Sequence, residues 1–143
     1  MIFELNTSEA GLGFIEKNEG LAITIRNDVG HQMIGYGHDL TPAEISAGKW
    51  KGGITMLDAA LLLEEDVAKW DAAINAHHLA LAQSQHDALA DFTHNLGVGA
   101  LNQLLAHGVD QVPSQLLRWD HEGSTVVAGL LARRQAEVAM WNA

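Results

Sequence analysis

Apolar and polar residues follow one another along this chain with spacings that predict a short helix and then a hairpin. Residues 8–18 are predicted to be helical, with Thr7 or Ser8 as the N-cap and Phe14 and Ile15 on the buried side. The β-branched residues at 23–25 predict a strand, because β-branched side chains pack well on a pleated surface. The sequence Asn-Asp-Val-Gly then predicts a turn, and 32–36 a short returning strand.

The longest helix is predicted over 55–77, where apolar residues recur at helical spacing. Its predicted apolar stripe consists of Leu57, Leu61, Val67, Trp70 and Ile74. Thr55 and Asp58 have the spacing of an N-terminal capping box. At about 1.5 Å per residue this helix would extend about 30 Å, which is long enough to join two lobes across a cleft.

Further helices are predicted over 84–96, 98–107, 113–120 and 128–142, after a brief helical turn at Thr41 and Pro42. Ser84 is the predicted N-cap of the first of these helices, and Gly97 its end. The order of elements predicts a single α+β domain over 1–143. It has a small N-terminal β-hairpin lobe, a long connecting helix and a mostly helical C-terminal lobe. We expect the large tryptophans Trp70, Trp119 and Trp141 to fill its core.

Charge narrows the classes of partner that this chain can bind. There are 8 Lys and Arg residues against 18 Asp and Glu residues, a formal net charge of −10. We therefore expect no nucleic-acid partner, because phosphate binding requires a basic surface.

No apolar run is long enough to span a bilayer, so we expect no membrane insertion. The first residues do not resemble a signal peptide, so we expect export by another route. The absence of cysteine excludes disulfides and thiolate nucleophiles.

Glu19 and Asp28 are the candidate catalytic carboxyls. Cleavage of a glycosidic bond uses one carboxyl to protonate the leaving oxygen and a second carboxylate across the bond. Glu19, near the apolar Leu21, is the candidate for a partly desolvated acid, and Asp28, in a polar turn, for an ionised group. Alternatively, Glu19 is a surface charge and Asp28 an ordinary turn residue. Spacing alone favours this alternative, since turns are rich in aspartate.

The run Gly35-Tyr36-Gly37-His38 indicates either a groove or a tight exit from a strand. Glycines in or next to a strand often mark a bend or a close approach by another backbone or a ligand. Other chemistry lacks support, because the chain contains neither a His-Glu-x-x-His nor a Gly-x-Ser-x-Gly motif. We therefore predict no metal site and no serine nucleophile.

Taken together, four ordered segments resemble the phage-type lysozymes, the endolysin muramidases. They are FIEKNEG followed by Asp28 and IGYGHDLT, then GITMLDAALLLEEDV, QHDALADFTHNLGVGAL and QLLRWDHEGSTVVAGLLARRQAE. The resemblance extends from residue 14 to residue 137. It implies hydrolysis of the bond between N-acetylmuramic acid and N-acetylglucosamine in peptidoglycan, without a cofactor. It also implies a phage or prophage lytic protein, which we expect to be a monomer released through a holin-like pore.

The resemblance also assigns roles to residues. Glu19 matches the general acid, and Asp28 matches the second carboxylate, which activates water or stabilises developing positive charge. His38 matches a histidine that pairs with an acid on the long helix, where Asp66 lies, so we expect a supporting ion pair.

Arg133 and Arg134 match arginines of the family's C-terminal motif. One of the two is expected to approach Glu19, and the alternative is that they face solvent or pair with Glu137. Arg134 is expected to support the structure.

Met33 is the main departure from the family pattern. The family commonly has a threonine before Ile-Gly-x-Gly-His, whereas here a methionine follows a turn that is one residue shorter. A thioether cannot donate a hydrogen bond to the attacking water, so His31 or Gln32 is expected to replace the threonine. Two alternatives follow from Met33: a non-catalytic module that binds peptidoglycan or a protein, and a transglycosylase-like enzyme.

Overall fold

The computed structural model describes residues 4–28 and 30–143, and the side chain of Asp28 lies outside this description. The helices are α1 Glu9–Glu19, α2 Pro42–Ser46, α3 Met56–Asn75, α4 Gln83–Leu96, α5 Val98–Leu105, α6 Val112–Leu116 and α7 Ala128–Trp141. The strands are β1 Ala22–Asp28, β2 His31–Gly35, β3 His38–Asp39, β4 His121–Glu122 and β5 Thr125–Val126. The predicted α+β class is confirmed. None of the helices in these two ranges is long and apolar enough to cross a membrane.

The N-terminal sheet is antiparallel, in the order β1-β2-β3. Across its hairpin Asp28 pairs with His31 and Arg26 with Met33, and the register shifts between Ala22 and Arg26. Strand β3 was not predicted, because a strand of two residues carries too little alternation to be recognised. It begins at His38, which pairs with Ile34 on β2.

Helix α3 contributes to two separate apolar cores. The smaller core lies beneath the sheet and consists of Ile34, Leu40, Ile54, Ala59 and Leu62. The larger one lies among the helices and receives Leu63, Val67 and Ile74 from α3. Tyr36 packs against both cores. Since one continuous helix belongs to both cores, it fixes the position of the sheet relative to the helical lobe.

The predicted apolar stripe of α3 is wrong in its first half. Leu57 is 70% exposed and Leu61 is 50% exposed. The buried face instead carries the acids Asp66 and Asp71. Each of these carboxyls has a hydrogen-bonding partner from another segment, which makes its burial acceptable. A stripe drawn from apolar residues alone therefore misplaced the inner face.

Several helix ends differ from their predicted positions. Ser8 is the N-cap of α1, as one of the two alternatives proposed. The N-cap of α4 is Ala82, whose backbone N–H donates to the Gln85 side chain, so the prediction of Ser84 was wrong. Gly97 ends α4 as predicted. The predicted helix over 113–120 ends at Leu116, and β4 and β5 follow it as a small hairpin.

The start of α1 is held by acids from two other helices. Thr7 donates to Asp71 of α3 through its hydroxyl, at 2.6 Å, and through its backbone N–H, at 3.1 Å. The backbone N–H of Ser8 donates to Asp87 of α4 at 3.0 Å. A Cβ atom added at Gly11 would lie 2.7 Å from the Asp87 carboxyl carbon. Glycine therefore allows α1 to approach α4 closely.

The two glycines of α1 provide a matched test of this contact. We expect Gly11→Ala to lower the free energy of unfolding by about 1–3 kcal/mol, because the new methyl group overpacks the Asp87 contact. Gly13 has open space around it. There we expect Gly13→Ala to raise the free energy of unfolding by about 1 kcal/mol through helix propensity. Urea denaturation measures both, and equal effects of the two substitutions would contradict the close contact.

Candidate active site

The carboxylate of Glu19 is held by Arg133, which lies 114 positions later in the sequence. Glu19 is the last residue of α1, and Arg133 Nη1 donates to its Oε1 at 2.7 Å. The other donors of Arg133 face Asp91 of α4, with Nε at 3.0 Å and Nη2 at 2.8 Å. This chain of contacts joins α1, α7 and α4. It resolves one of the alternatives left open by the sequence: Arg133 is the arginine that approaches Glu19.

Asp91 is completely buried and has several partners. Asn18 also donates to it, at 3.3 Å. Burial opposes ionisation of Asp91, but hydrogen bonding with Glu137 and the guanidinium of Arg133 outweigh burial and lower its pKa. Conversely, burial and the neighbouring Asp91 raise the pKa of Glu137 to about 10, against the opposing effect of Arg134. The two pKa values thus shift in opposite directions, which favours an ionised Asp91 beside Arg133.

Arg134 takes the other predicted alternative and pairs with Glu137. Its side chain is completely buried, with Nε 2.7 Å from Glu137 Oε1 and Nη2 2.8 Å from Oε2. Nη2 also donates to Asn95 Oδ1 at 2.8 Å. Arg134 thus supports the end of α4 from inside the core and makes no contact with Glu19.

Two adjoining hollows lie between the sheet and the helical lobe. One, of about 320 Å³, is lined by Glu19, His31, Met33, Gly37, Asp39, His94 and Asn95. The other, of about 270 Å³, shares Gly37, Asp39, His94 and Asn95 with the first and extends to Asp66 and Trp70. Trp70, expected in the core, packs against the larger core and also lines this second hollow. The two hollows together form a cleft suited to a chain-like substrate.

Gly37 lies directly against the carboxyl group of Glu19. A Cβ atom at Gly37 would be 2.3 Å from Glu19 Oε2, and the φ angle of this residue is +74°. Both the space and the backbone conformation therefore require glycine. A close approach occurs at the Gly-Tyr-Gly run, but the approaching group is the side chain of the candidate acid, whereas the sequence suggested another backbone or a ligand.

Of the three residues proposed to position water, two reach the cleft. His31 and Met33 line the hollow beside Glu19, and Gln32 is not among its lining residues. This follows from strand geometry, because successive side chains point to opposite faces. Asp28 lies at the end of β1, with its backbone opposite His31. Its side chain lies outside the described residues, so its predicted role beside Glu19 stays a prediction.

His38 is buried between two carboxylates. Its Nδ1 is 2.7 Å from Asp66 Oδ2, and its Nε2 is 3.0 Å from Glu44 Oε1. Burial alone would lower the pKa of His38, but hydrogen bonds to Asp66 and Glu44 raise it overall. The predicted contact with Asp66 is present. The contact with Glu44 was not predicted from the sequence, and Glu44 also closes the capping box of α2 with Thr41.

Helix α4 contributes more side chains to the site than was predicted from the sequence. Asp91, His94 and Asn95 all contribute to the site, although they lie in a segment that was matched only as core helices. The available signal was the presence of polar residues within that matched segment. Among residues 4–28 and 30–143, no group of three or more histidine or acidic side chains could hold a metal ion.

The His38–Asp66 contact predicts a stability difference that depends on pH. Because the pKa of His38 is raised on folding, the stabilisation is fully present below the unfolded-state pKa of about 6.5 and is lost as pH rises through the folded-state pKa. We expect Asp66→Asn to lower the free energy of unfolding by about 2 kcal/mol at pH 5.5 and by less at pH 9. Thermal melts at both pH values measure this difference. The exposed neighbour Glu65, changed to Gln, is the control, and a loss for Asp66→Asn that does not depend on pH would contradict the ion pair.

Most of the chain matches one known protein family. The profile of the family described as Phage lysozyme matches residues 16–137. The endolysin of Bacillus phage PZA is 32% identical over 151 residues, which cover 96% of this chain and 55% of that protein. The chain thus spans about half the length of the curated relatives it matches.

Solved structures extend the similarity to three dimensions. The muramidase domain of SpmX from Asticaccaulis excentricus is 29% identical, with a TM-score of 0.83 over 96% of this chain and 98% of that one. The endolysin from Escherichia coli O157:H7 phage FAHEc1 is 28% identical, with a TM-score of 0.78 over 99% of this chain and 96% of that one. These structures match nearly the whole of this chain.

Proposed function

This chain belongs to the phage lysozyme family, and on that basis we propose that it is a glycoside hydrolase acting on peptidoglycan. The bond cleaved is the β-1,4 linkage between N-acetylmuramic acid and N-acetylglucosamine, within the polymer. The observation that carries this proposal is Glu19, whose carboxyl group borders the cleft and is held by Arg133 and Gly37. Its side chain is 12% exposed, which leaves it accessible to a bound sugar.

In the proposed mechanism, Glu19 is the general acid and donates its proton to the glycosidic oxygen. The bond from that oxygen to the anomeric carbon of N-acetylmuramic acid breaks. Asp28 takes a proton from a water molecule, whose oxygen bonds to the same carbon from the opposite face. Direct attack by water inverts the configuration at that carbon. The products are a reducing N-acetylmuramic acid end and a free hydroxyl on N-acetylglucosamine.

Arg133 restrains Glu19 while the positive charge of Arg133 is paired with Asp91. Asp91 accepts hydrogen bonds from Nε and Nη2 of Arg133, and Nη1 donates to Glu19. The carboxylate of Asp91 offsets much of the guanidinium charge. The role of Arg133 in this proposal is therefore to hold one oxygen of Glu19 so that the other faces the cleft. Fixed orientation of a reacting group accounts for a large share of enzymatic rate enhancement.

The proposed place of action is the bacterial cell wall during lysis. The endolysins among the relatives come from phages, and we propose a phage or prophage origin with release through a holin-like pore. The net charge of −10 repels an anionic wall on average. Screening of that repulsion by salt should favour binding.

Substitution of Glu19 tests the acid. We expect Glu19→Gln to reduce the release of reducing ends from purified peptidoglycan by about 100- to 10,000-fold, because an amide is too weakly acidic to protonate the leaving oxygen. Glu16→Gln, one turn earlier on α1, is the matched control and should keep full activity.

The chemistry of the released ends separates this function from its rivals. Reducing ends that depend on Glu19 support hydrolysis, and 1,6-anhydro ends would indicate a lytic transglycosylase instead. Binding to peptidoglycan without any release that depends on Glu19 would leave only a binding module.

Met33 and His31 define a second test, of the attacking water. Met33 lines the hollow where a hydroxyl would be useful, and His31 is the polar neighbour that reaches the same hollow. We propose that His31 holds the water. We expect His31→Ala to lower kcat about tenfold and Met33→Thr to raise it about threefold, because orientation of the nucleophile limits the rate.

The controls for this test lie on the same strand. Gln32→Ala should leave kcat unchanged, since Gln32 does not line the hollow. In the double variant His31→Ala, Met33→Thr, the threonine should restore part of the lost rate. A Met33→Thr variant no faster than the natural protein would contradict a simple lack of a hydroxyl at this position.

A further inference from the structure

His94 connects three elements of the fold at the wall of the cleft. It lies in the last turn of α4, and its Nδ1 accepts a hydrogen bond from the indole Nε1 of Trp70 on α3, at 3.0 Å. Its Nε2 lies 2.8 Å from the backbone oxygen of Tyr36, in the turn between β2 and β3. His94 therefore bridges the helical lobe, the connecting helix and the sheet.

The partners of His94 determine which of its nitrogens carries the proton. An indole N–H can only donate, so Nδ1 must offer a lone pair. A carbonyl oxygen can only accept, so Nε2 must carry the hydrogen. His94 is therefore a neutral imidazole protonated at Nε2 in this arrangement. A doubly protonated ring would place two N–H groups against each other at Trp70.

The Tyr36 carbonyl belongs to the peptide unit that leads into Gly37. Because a peptide unit is planar, fixing its oxygen also fixes the position of the next Cα atom. That atom is the Gly37 Cα, and a Cβ built on it would lie 2.3 Å from Glu19 Oε2. The bond from His94 thus fixes the backbone against which the Glu19 carboxyl group rests.

Helix α4 therefore supports Glu19 from two directions. Asp91 holds Arg133, which contacts Oε1 of Glu19. His94 lies three residues later, on the same side of the helix, and holds the peptide unit that leads to the Oε2 side. The position of the carboxyl group is set by these two contacts.

We propose that His94 is a positioning residue for Glu19: with its tautomer fixed by Trp70, it holds the Tyr36–Gly37 peptide unit beside the acid. This proposal rests on the proposed function for its effect on rate, but its structural part is independent of any activity. It assigns His94 a role other than contact with the reacting atoms.

The kinetic test compares two substitutions at position 94 on soluble peptidoglycan fragments. His94→Phe keeps a planar ring but removes both hydrogen bonds. We expect it to lower kcat about tenfold with little change in KM, because misplacement of the acid affects the reaction more than binding. His94→Gln supplies one donor and one acceptor and should restore most of kcat. The control is His77→Phe, which removes a histidine hydrogen bond to Asn102 away from the cleft and should leave kcat unchanged.

A spectroscopic test follows the same variants without relying on activity. In ¹H–¹⁵N spectra, His94→Phe should shift the Trp70 indole signal and the Gly37 amide signal, and in ¹³C spectra the Glu19 carboxyl signal. His77→Phe should leave all three in place. The tautomer is measured directly from the ¹⁵N shifts of the His94 ring.

The outcomes separate the two proposals. If the natural protein does not hydrolyse peptidoglycan but the three signals shift as expected, the proposed function fails and the positioning contact stands. If a folded His94→Phe variant keeps full kcat, or if the Glu19 carboxyl signal does not shift, the positioning role is overturned. A His94→Gln variant that is folded but as slow as His94→Phe would overturn it as well.

Discussion

The structure depends on the burial of one carboxylate, Asp91, in the middle of helix α4. A charge enclosed in protein is very unfavourable unless it is paired and hydrogen-bonded. Asp91 therefore requires Arg133 from α7 and Asn18 from α1 as hydrogen-bonding partners. These contacts bring three helices, α1, α4 and α7, together at one point. The candidate acid Glu19 is located there because it takes the remaining contact of Arg133.

The same physical rule applies in the smaller lobe. His38 lies between Asp66 and Glu44, so one buried ring links β3, α3 and α2. Helix α3 carries this contact on the face that it also uses for the two apolar cores. The small lobe is therefore held against α3 both by apolar packing and by a paired polar group. The cleft is the gap that these two kinds of contact leave open.

The sequence predicted the long helices and the hairpin because apolar spacing and capping residues are local signals. Glu19, His38 and Met33 were found through the order of motifs, and each lies where that order indicates. Spacing could not choose between Arg133 and Arg134. Adjacent residues on a helix point about 100° apart, and which of the two faces Glu19 depends on how α7 packs against the other helices. The predicted apolar stripe of α3 missed the buried acids Asp66 and Asp71 for a related reason. Their burial depends on partners that are distant in sequence.

The contact between Glu19 and Arg133 spans 114 positions of the sequence. Closing so long a loop has an entropic cost that is met only when other contacts have already brought its ends together. During synthesis, α1 leaves the ribosome before α7 has been made, so Glu19 is present before the arginine that contacts it. A completed α7 is therefore required before Arg133 can hold the Glu19 carboxyl group in place.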